Sequence, residues 1–400
     1  LLIDVSTWKG HHEIYFKNIL LTLNKDNYFV YAVCADNMAL RQWMADMNLQ
    51  NCQILDVKLS SIDKILLKVV AAIDNILLKL SIESPFQYLS IGTPLCAKSL
   101  FKQIGKQIPV FFAHADSAIP AVPLWLAKIF LPNSWIALSI QPSYQAAISI
   151  GKHKSRQRFA SEQLFALPSC KAVLALHPIY QNFFEKRFKQ SKFLVFPEIV
   201  DVEISEKSEI ADRIQNLAGG RKIISTIGSL LPKRNLKLFL ESARKLDSSE
   251  YFILVVGRFP KQGYSTAEIE YIQKLLLNFS TNSYIDLDYY IPDETEFNKL
   301  LAISDLIYLQ YKDHSCSSNI LSKAIELRKP ILVNSGYLME KVVRTYDWEA
   351  IVPEDPEIIA KEIINLVHNF TINEEKYSQF LSDYNAENNR LAICKALEFL

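Results

Sequence analysis

The chain has 400 residues, 50% of them hydrophobic and 22% charged, enough for two separately cored domains and too apolar for disorder. A net charge of +1 excludes a protein whose whole surface is basic for nucleic-acid binding. Six cysteines at 34, 52, 96, 170, 316 and 394 form no CxxC pair and no His/Cys cluster at ligand spacing, which argues against structural zinc and for a reducing cytoplasm.

LLIDV at the start reads as a first strand and not as a signal peptide, because no basic segment leads into a long apolar run. Glu13 to Leu23 carries Ile14, Phe16, Ile19, Leu20 and Leu23 at helical spacing, which predicts a helix with one buried face. A strand over 28–34, a helix over 38–47, a strand over 52–57, a long helix over 62–80 and strands over 88–91 and 109–113 follow. Continuous apolar strands between amphipathic helices predict a parallel sheet covered on both faces. The most apolar stretch, 108–140, is interrupted by His114, Asp116, Lys128 and four prolines, so it does not read as a transmembrane helix.

From Pro120 to Glu162 the periodicity loosens. This segment holds Trp125, Trp135 and the run GKHKSRQRF, whose Lys152, Lys154, Arg156 and Arg158 have no acid among them. Such a run is either a solvated loop beside a packed helix or an aromatic-edged basic surface for peripheral contact with an anionic membrane or a phosphate-bearing acceptor. Alternation returns with a strand over 172–176, a helix over 179–188 and a strand over 193–196. The polar run from Asp201 to Asn216, closed by Gly219 and Gly220, reads as a linker. Domains are therefore expected over 1–203 and 218–380, with a helix at 381–400 packing back on the first.

The second half repeats the strand–helix unit more cleanly: strands over 223–227, 252–256 and 284–290, with helices over 236–245, 267–279 and up to Ile303. Asp305 to Ser335 then gives strand, polar turn, short helix and strand, a βαβ unit. Its turn places Ser317, Ser318 and Asn319 where the helix begins, residue types that cap some backbone amides and leave others for an anion. The turn after the 223–227 strand reads GSLLPKRN, so Lys233 and Arg234 stand at a strand's carboxyl end, where two cations can neutralise a diphosphate. Neither half carries GxGxxG or a Walker loop, so dinucleotide and ATP readings lose their usual support. In the first half, Gly10, His11 and His12 follow a strand and precede a helix, and His114 ends another strand; a lone histidine there is a core residue or a ligand contact.

Together these segments resemble one family. Gly228 with Lys233–Arg234, VVGR at 255–258, YIPDETEFNKLL, SDLIYLQY and SSNILSKAIELRKPIL are similar to the donor-binding domain of GT-B glycosyltransferases, nearest the retaining family-4-like group. The likeness is fullest over 222–360 and looser over the first half, where the first strand–loop–helix, the His114 turn and ALHPIYQNFFEKRF match in kind. It implies an α/β fold of two doubly wound Rossmann-like domains facing a cleft, with the acceptor on the first and a nucleotide sugar on the second. It further implies that Lys233 and Arg234 contact the diphosphate, that Tyr290 and Ile291 hold the base, that Ser317, Ser318 and Asn319 meet phosphates or sugar, and that His114 contacts the transferred sugar. Gly10 would let backbone approach the donor. The family's paired glutamates across the turn and helix are replaced by Ser315 and Lys323. Lys323 would then add a cation near the phosphates, and Asp313 or His314 would take the sugar contact.

The expected activity is sugar transfer from a nucleotide diphosphate to a glycan, lipid-linked or small-molecule acceptor, without cofactor or metal and with retention at the anomeric carbon. Inversion would need a base, for which Asp116 and His12 are the candidates. A nucleotide-sugar epimerase and a non-catalytic scaffold that has lost its glutamates are the alternatives.

Overall fold

A computed structural model describes residues 1–4, 11–57, 99–101, 103–105, 108–118, 131–140, 142, 161–260, 263–279, 283–291, 293–312, 314, 316–336, 338–348 and 351–400, with isolated positions within 60–76. Most of the helix expected over 62–80, the strand expected over 88–91, Trp125 and the basic run from Lys152 to Arg158 lie outside the described residues. The chain divides into one unit of Leu1–Ile199 with Asn385–Leu400 and another of Val200–Tyr384.

The first unit is built on seven parallel strands: β1 (Leu2–Asp4), β2 (Val30–Cys34), β3 (Cys52–Ile54), β4 (Val110–Phe112), β5 (Trp135–Ser139), β6 (Cys170–Ala175) and β7 (Lys192–Val195). Their order is β3-β2-β1-β4-β5-β6-β7, so chain direction across the sheet reverses between β1 and β4. Described helices are α1 (His11–Lys25), α2 (Asn37–Asp46), the single turn α3 (Ala115–Ala118) and α4 (Pro178–Arg187). Apolar stripes explain their placement: α1 buries Tyr15, Phe16, Ile19, Leu20 and Leu23 against the sheet.

β5 was not legible as a strand because its residues sit in the run where periodicity fails. All five are buried, and Trp135, 0% exposed, donates its indole N–H to Ser169 Oγ at 3.0 Å. This corrects the expectation that Trp135 edges an exposed basic surface: the ring is core, packed edge-on to Phe112.

The second unit has six parallel strands: β8 (Lys222–Ile227), β9 (Tyr251–Val256), β10 (Ser283–Asp286), β11 (Leu306–Leu309), β12 (Ile331–Asn334) and β13 (Ile351–Val352). Their order is β10-β9-β8-β11-β12-β13, which reverses between β8 and β11. Its helices are α5 (Glu209–Ala218), α6 (Leu236–Ala243), α7 (Thr266–Leu276), α8 (Glu294–Ala302), α9 (Asn319–Glu326), α10 (Leu338–Thr345), α11 (Pro356–Asn369) and α12 (Glu374–Asp383). β9 is buried at every residue, as a strand covered on both faces must be.

The polar run read as a linker is instead largely α5. Ser208 Oγ accepts the Ala211 amide at its start, Gly219 closes it at φ 59°, and Ala211, Ile214 and Ala218 supply a narrow buried stripe. Half of its ten residues are charged or polar, Glu209, Asp212, Arg213, Gln215 and Asn216, and they mask so thin a stripe in the sequence. The last helix, α13 (Ala386–Leu397), belongs to the first unit: Ala392, Ile393 and Ala396 join its core, and Asn389 Nδ2 donates to Pro197 O at 2.6 Å. Among the described residues no helix is long and apolar enough to cross a membrane.

Candidate functional site

Two glycines shape the first turn of the second unit. Gly257, after β9, approaches the turn after β8 so closely that a Cβ there would lie 1.8 Å from Gly228 O. Gly228 itself has φ 104°, and a Cβ on it would meet Arg234 Nη2 and Phe297 Cε2 at 3.4 Å. Only glycine fits such backbone contact, and the approach fixes the path of the chain into Pro232–Arg234. Asn235, left-handed at φ 51°, then starts α6.

β11 lies directly beside β8, so the loop after β11 meets this turn at the same sheet edge. The Lys312 amide donates to Lys233 O at 2.8 Å and joins the two loops. Arg234 Nη1 donates to the Tyr311 hydroxyl, its guanidinium lies 4.6 Å from the centre of the Tyr311 ring, and that hydroxyl is 3.2 Å from Ser318 Oγ. Arg234 Nε is buried with no hydrogen-bond partner among the described residues. Ser318 is the N-cap of α9, yet its side chain caps no amide of that helix. The positive end of α9, a half-buried Lys233 and Arg234 therefore converge at the sheet's reversal point, where open α/β sheets bind ligands.

Charge confirms the concentration. Burial first, and then the Arg234 cation, hold the Lys233 ammonium below its usual value. His314, 8% exposed and against the Tyr311 ring, is pushed down to about 4 by burial and then by Lys233. Among the described residues no carboxylate pairs with Lys233 or Arg234, so an anion would relieve their repulsion. Ser317 accepts at its carbonyl a 3.4 Å contact from His314 Nε2, and Asn319 opens α9 beside it. Gly228, Lys233, Arg234, His314, Ser317, Ser318 and Asn319 are thus brought together.

Tyr290 and Ile291 lie beyond β10, which ends at Asp286; Tyr290 is exposed and Ile291 packs on the core before α8. Asp313 and Ser315 are outside the described residues.

Lys323 departs from its expected place beside the phosphates. It is 2% exposed, and its ammonium pairs with Glu294 and donates to Asn298 Oδ1 and Asp201 O, both at 2.7 Å. An ammonium has three N–H donors, and all three are used inside the protein. Asn298 also donates to Asp201 O and Glu203 O, at 3.0 and 2.8 Å, so this cluster pins the 201–203 stretch to α8 and α9. Its sequence signal was a lysine flanked by Ile320, Leu321, Ala324 and Ile325 within α9.

At the reversal point of the first unit, β1 ends in Asp4, 1% exposed, whose Oδ2 lies 2.7 Å from His12 Nδ1 in the first turn of α1. The His12 ring stacks on His114, just past β4, with centroids 3.9 Å apart and planes 26° from parallel. Burial holds the His114 imidazole below its usual value, with a smaller contribution from His12. Asp116, the other candidate base, anchors β5: Ser139 Oγ donates to it at 2.9 Å and the Ile140 amide at 2.7 Å. Gly10 is outside the described residues. Sequence reasoning missed Asp4, although an acid inside the apolar strand LLIDV was its signal.

No protein-family model matches the chain, and no curated relative does. Solved structures do. Anabaena HepE in complex with UDP-glucose is similar over 100% of this chain and 98% of its own, with a TM-score of 0.67 at 12% identity. Sucrose-phosphate synthase from Thermosynechococcus elongatus is similar over 99% and 97%, with a TM-score of 0.64 at 11% identity. WaaG, a glycosyltransferase involved in lipopolysaccharide biosynthesis, is similar over 98% and 94%, with a TM-score of 0.58 at 13% identity. With two parallel, doubly wound units matched along nearly their whole length, the chain has the GT-B fold.

Proposed function

We propose that this protein is a glycosyltransferase that takes its sugar from a nucleotide diphosphate bound on the second unit. The observation that carries the reading is the convergence of Lys233, Arg234 and the side-chain-uncapped start of α9 at the β8/β11 edge. As the bond from the anomeric carbon to the diphosphate breaks, negative charge grows on the leaving oxygens. Two cations and a helix end already fixed there stabilise that charge with little reorganisation. The same cations would do the work for which other transferases use a divalent ion, so transfer is expected to proceed without metal. Structures similar in fold were solved with UDP and with UDP-glucose, which supports a nucleotide-sugar donor. The acceptor, a glycan, a lipid-linked sugar or a small molecule, would sit on the first unit.

The family resemblance implies retention at the anomeric carbon. Calorimetric titration of UDP and GDP into the wild type and a Lys233→Ala, Arg234→Ala variant tests the donor site. A loss of at least about 100-fold in affinity follows from removing two charge-assisted contacts. Equal affinity in the two proteins would refute the site.

A further inference from the structure

We propose that the second unit carries a site for one neutral monosaccharide behind the donor turn, and that a sugar held there restrains that turn. The site stands on its own geometry; its effect on the donor rests on the transferase reading. A cavity of about 250 Å³ opens at the start of α6, bounded by α6, the start of α7, Lys312 after β11 and Glu354 after β13. That is room for about eight waters at about 30 Å³ each, the size of one sugar ring and not of a chain. Side chains alternate along β11 and its continuation, which separates this cavity from the donor seat. Leu309 and Tyr311 pack on the α9 side, where Arg234 meets Tyr311, whereas Tyr308 packs on Phe239 of α6, with ring centroids 4.8 Å apart. Gln310, two residues on from Tyr308, shares its side and donates to Val352 O at 2.8 Å. Two buried polar atoms on that side have no hydrogen-bond partner among the described residues: the hydroxyl of Tyr308, 1% exposed, and Oε1 of Gln310, 0% exposed. Burial, and then the Glu354 and Glu241 carboxylates, raise the Tyr308 phenol, so its hydroxyl lies in the field of two groups that line the cavity. A donor and an acceptor buried without partners are a cost that a hydroxyl-bearing ligand can offset.

The lining selects the class of ligand. Lys237 and Lys312 stand with Glu241, Glu268 and Glu354, so three carboxylates outnumber two ammoniums. A phosphate would meet that excess as repulsion. A metal ion is not favoured either, because among the described residues no three acids, histidines or cysteines are grouped to hold one. Hydroxyls both donate and accept, so a neutral sugar can give protons to the carboxylates and accept them from the ammoniums. The walls are tied to both ends of the donor turn. The Tyr264 hydroxyl donates to Leu230 O at 2.8 Å, Pro232 and Asn235 line the cavity themselves, and the Lys312 amide donates to Lys233 O at 2.8 Å. A sugar bridging these walls fixes the path of 230–235 before a nucleotide arrives, so the diphosphate has less chain to order on binding.

The test titrates D-glucose, D-galactose and D-mannose into the full chain by ligand-observed NMR, with inorganic phosphate as the charged control, and repeats UDP calorimetry at saturating sugar. At least one sugar should bind saturably at millimolar concentration and raise UDP affinity about fivefold or more. Glu354→Gln and Tyr308→Phe should each weaken the sugar about tenfold and leave sugar-free UDP affinity within about twofold. Because Tyr308 is buried, Glu354→Gln, at an exposed position, is the decisive variant if Tyr308→Phe unfolds. No binding of any of the three sugars, equal sugar affinity in Glu354→Gln, or tighter binding of inorganic phosphate than of every sugar would overturn the site. Unchanged UDP affinity with the sugar bound would overturn the coupling. Sugar binding by a protein that binds no UDP would uphold the site and remove the transferase reading.

Discussion

Replacing Lys323 by methionine separates a packing role from a ligand-binding one. The substitution keeps the length of the apolar stem and removes the ammonium from a site that is 2% exposed. Three acceptors lose a donor. Glu294, 30% exposed, can turn to water, and Asp201 O keeps its bond from Asn298 at 3.0 Å. Asn298 Oδ1 sits on a residue that is 0% exposed, and Lys323 is its hydrogen-bond donor at 2.7 Å, so it bears most of the cost. A buried acceptor left unsatisfied costs about 1–3 kcal/mol, and the lost ion pair adds a fraction more, giving about 2–4 kcal/mol in all. In a domain of this size that is a fall of about 5–15 °C in the melting of the second unit. Differential scanning calorimetry reads it, and nucleoside diphosphate affinity at a temperature where the variant is folded is expected to stay within about twofold. An unchanged melting temperature together with a tenfold loss of nucleotide affinity would refute the assignment and return Lys323 to the phosphates.

Gly257→Ala forces a Cβ to 1.8 Å from Gly228 O, so the second unit should lose at least about 3 kcal/mol; urea unfolding measures it, and Gly220→Ala, at φ 85° with open space around it, should cost less. His314 has a folded value of about 4, below its unfolded value of about 6.5, so its contribution is fully present above the unfolded value and is lost as pH falls through that window. Wild type should therefore lose about 2 kcal/mol more than His314→Gln between pH 7 and pH 4.5, as compared by urea unfolding at the two pH values. Equal losses would show that His314 is not held neutral by burial and by Lys233.

The alternation of apolar strands with amphipathic helices made most elements of both units legible, because both sheets are parallel and covered on each face. Of the elements that escaped, two did so for opposite reasons. β5 is so apolar and so close to prolines and tryptophans that no period stands out, and α5 is so polar that three fully buried residues and Ile210 carry its face. In the site, Lys233–Arg234 and Ser317–Asn319 were readable as local patterns. Their meeting was not, because it depends on β8 lying beside β11 across some eighty residues of chain. Tyr311 was invisible for the same reason: only the fold brings its hydroxyl between Arg234 and Ser318. Lys323 misled because its position along the helix was clear, while the acceptors that claim it come from α8 and from the 201–203 stretch.

The proposed donor site on the second unit uses cations and a helix end to hold a nucleoside diphosphate without help from a metal. Its most direct measurement is a thermal-shift panel of UDP, GDP, ADP, TDP and CDP, each with magnesium and with EDTA. A ligand that binds only the folded state stabilises it by about 2.7 kcal/mol at one hundred times its Kd. One diphosphate should raise the melting temperature equally in both conditions, and Lys233→Ala with Arg234→Ala should abolish the shift. No shift with any base, or a shift that vanishes in EDTA, would contradict it.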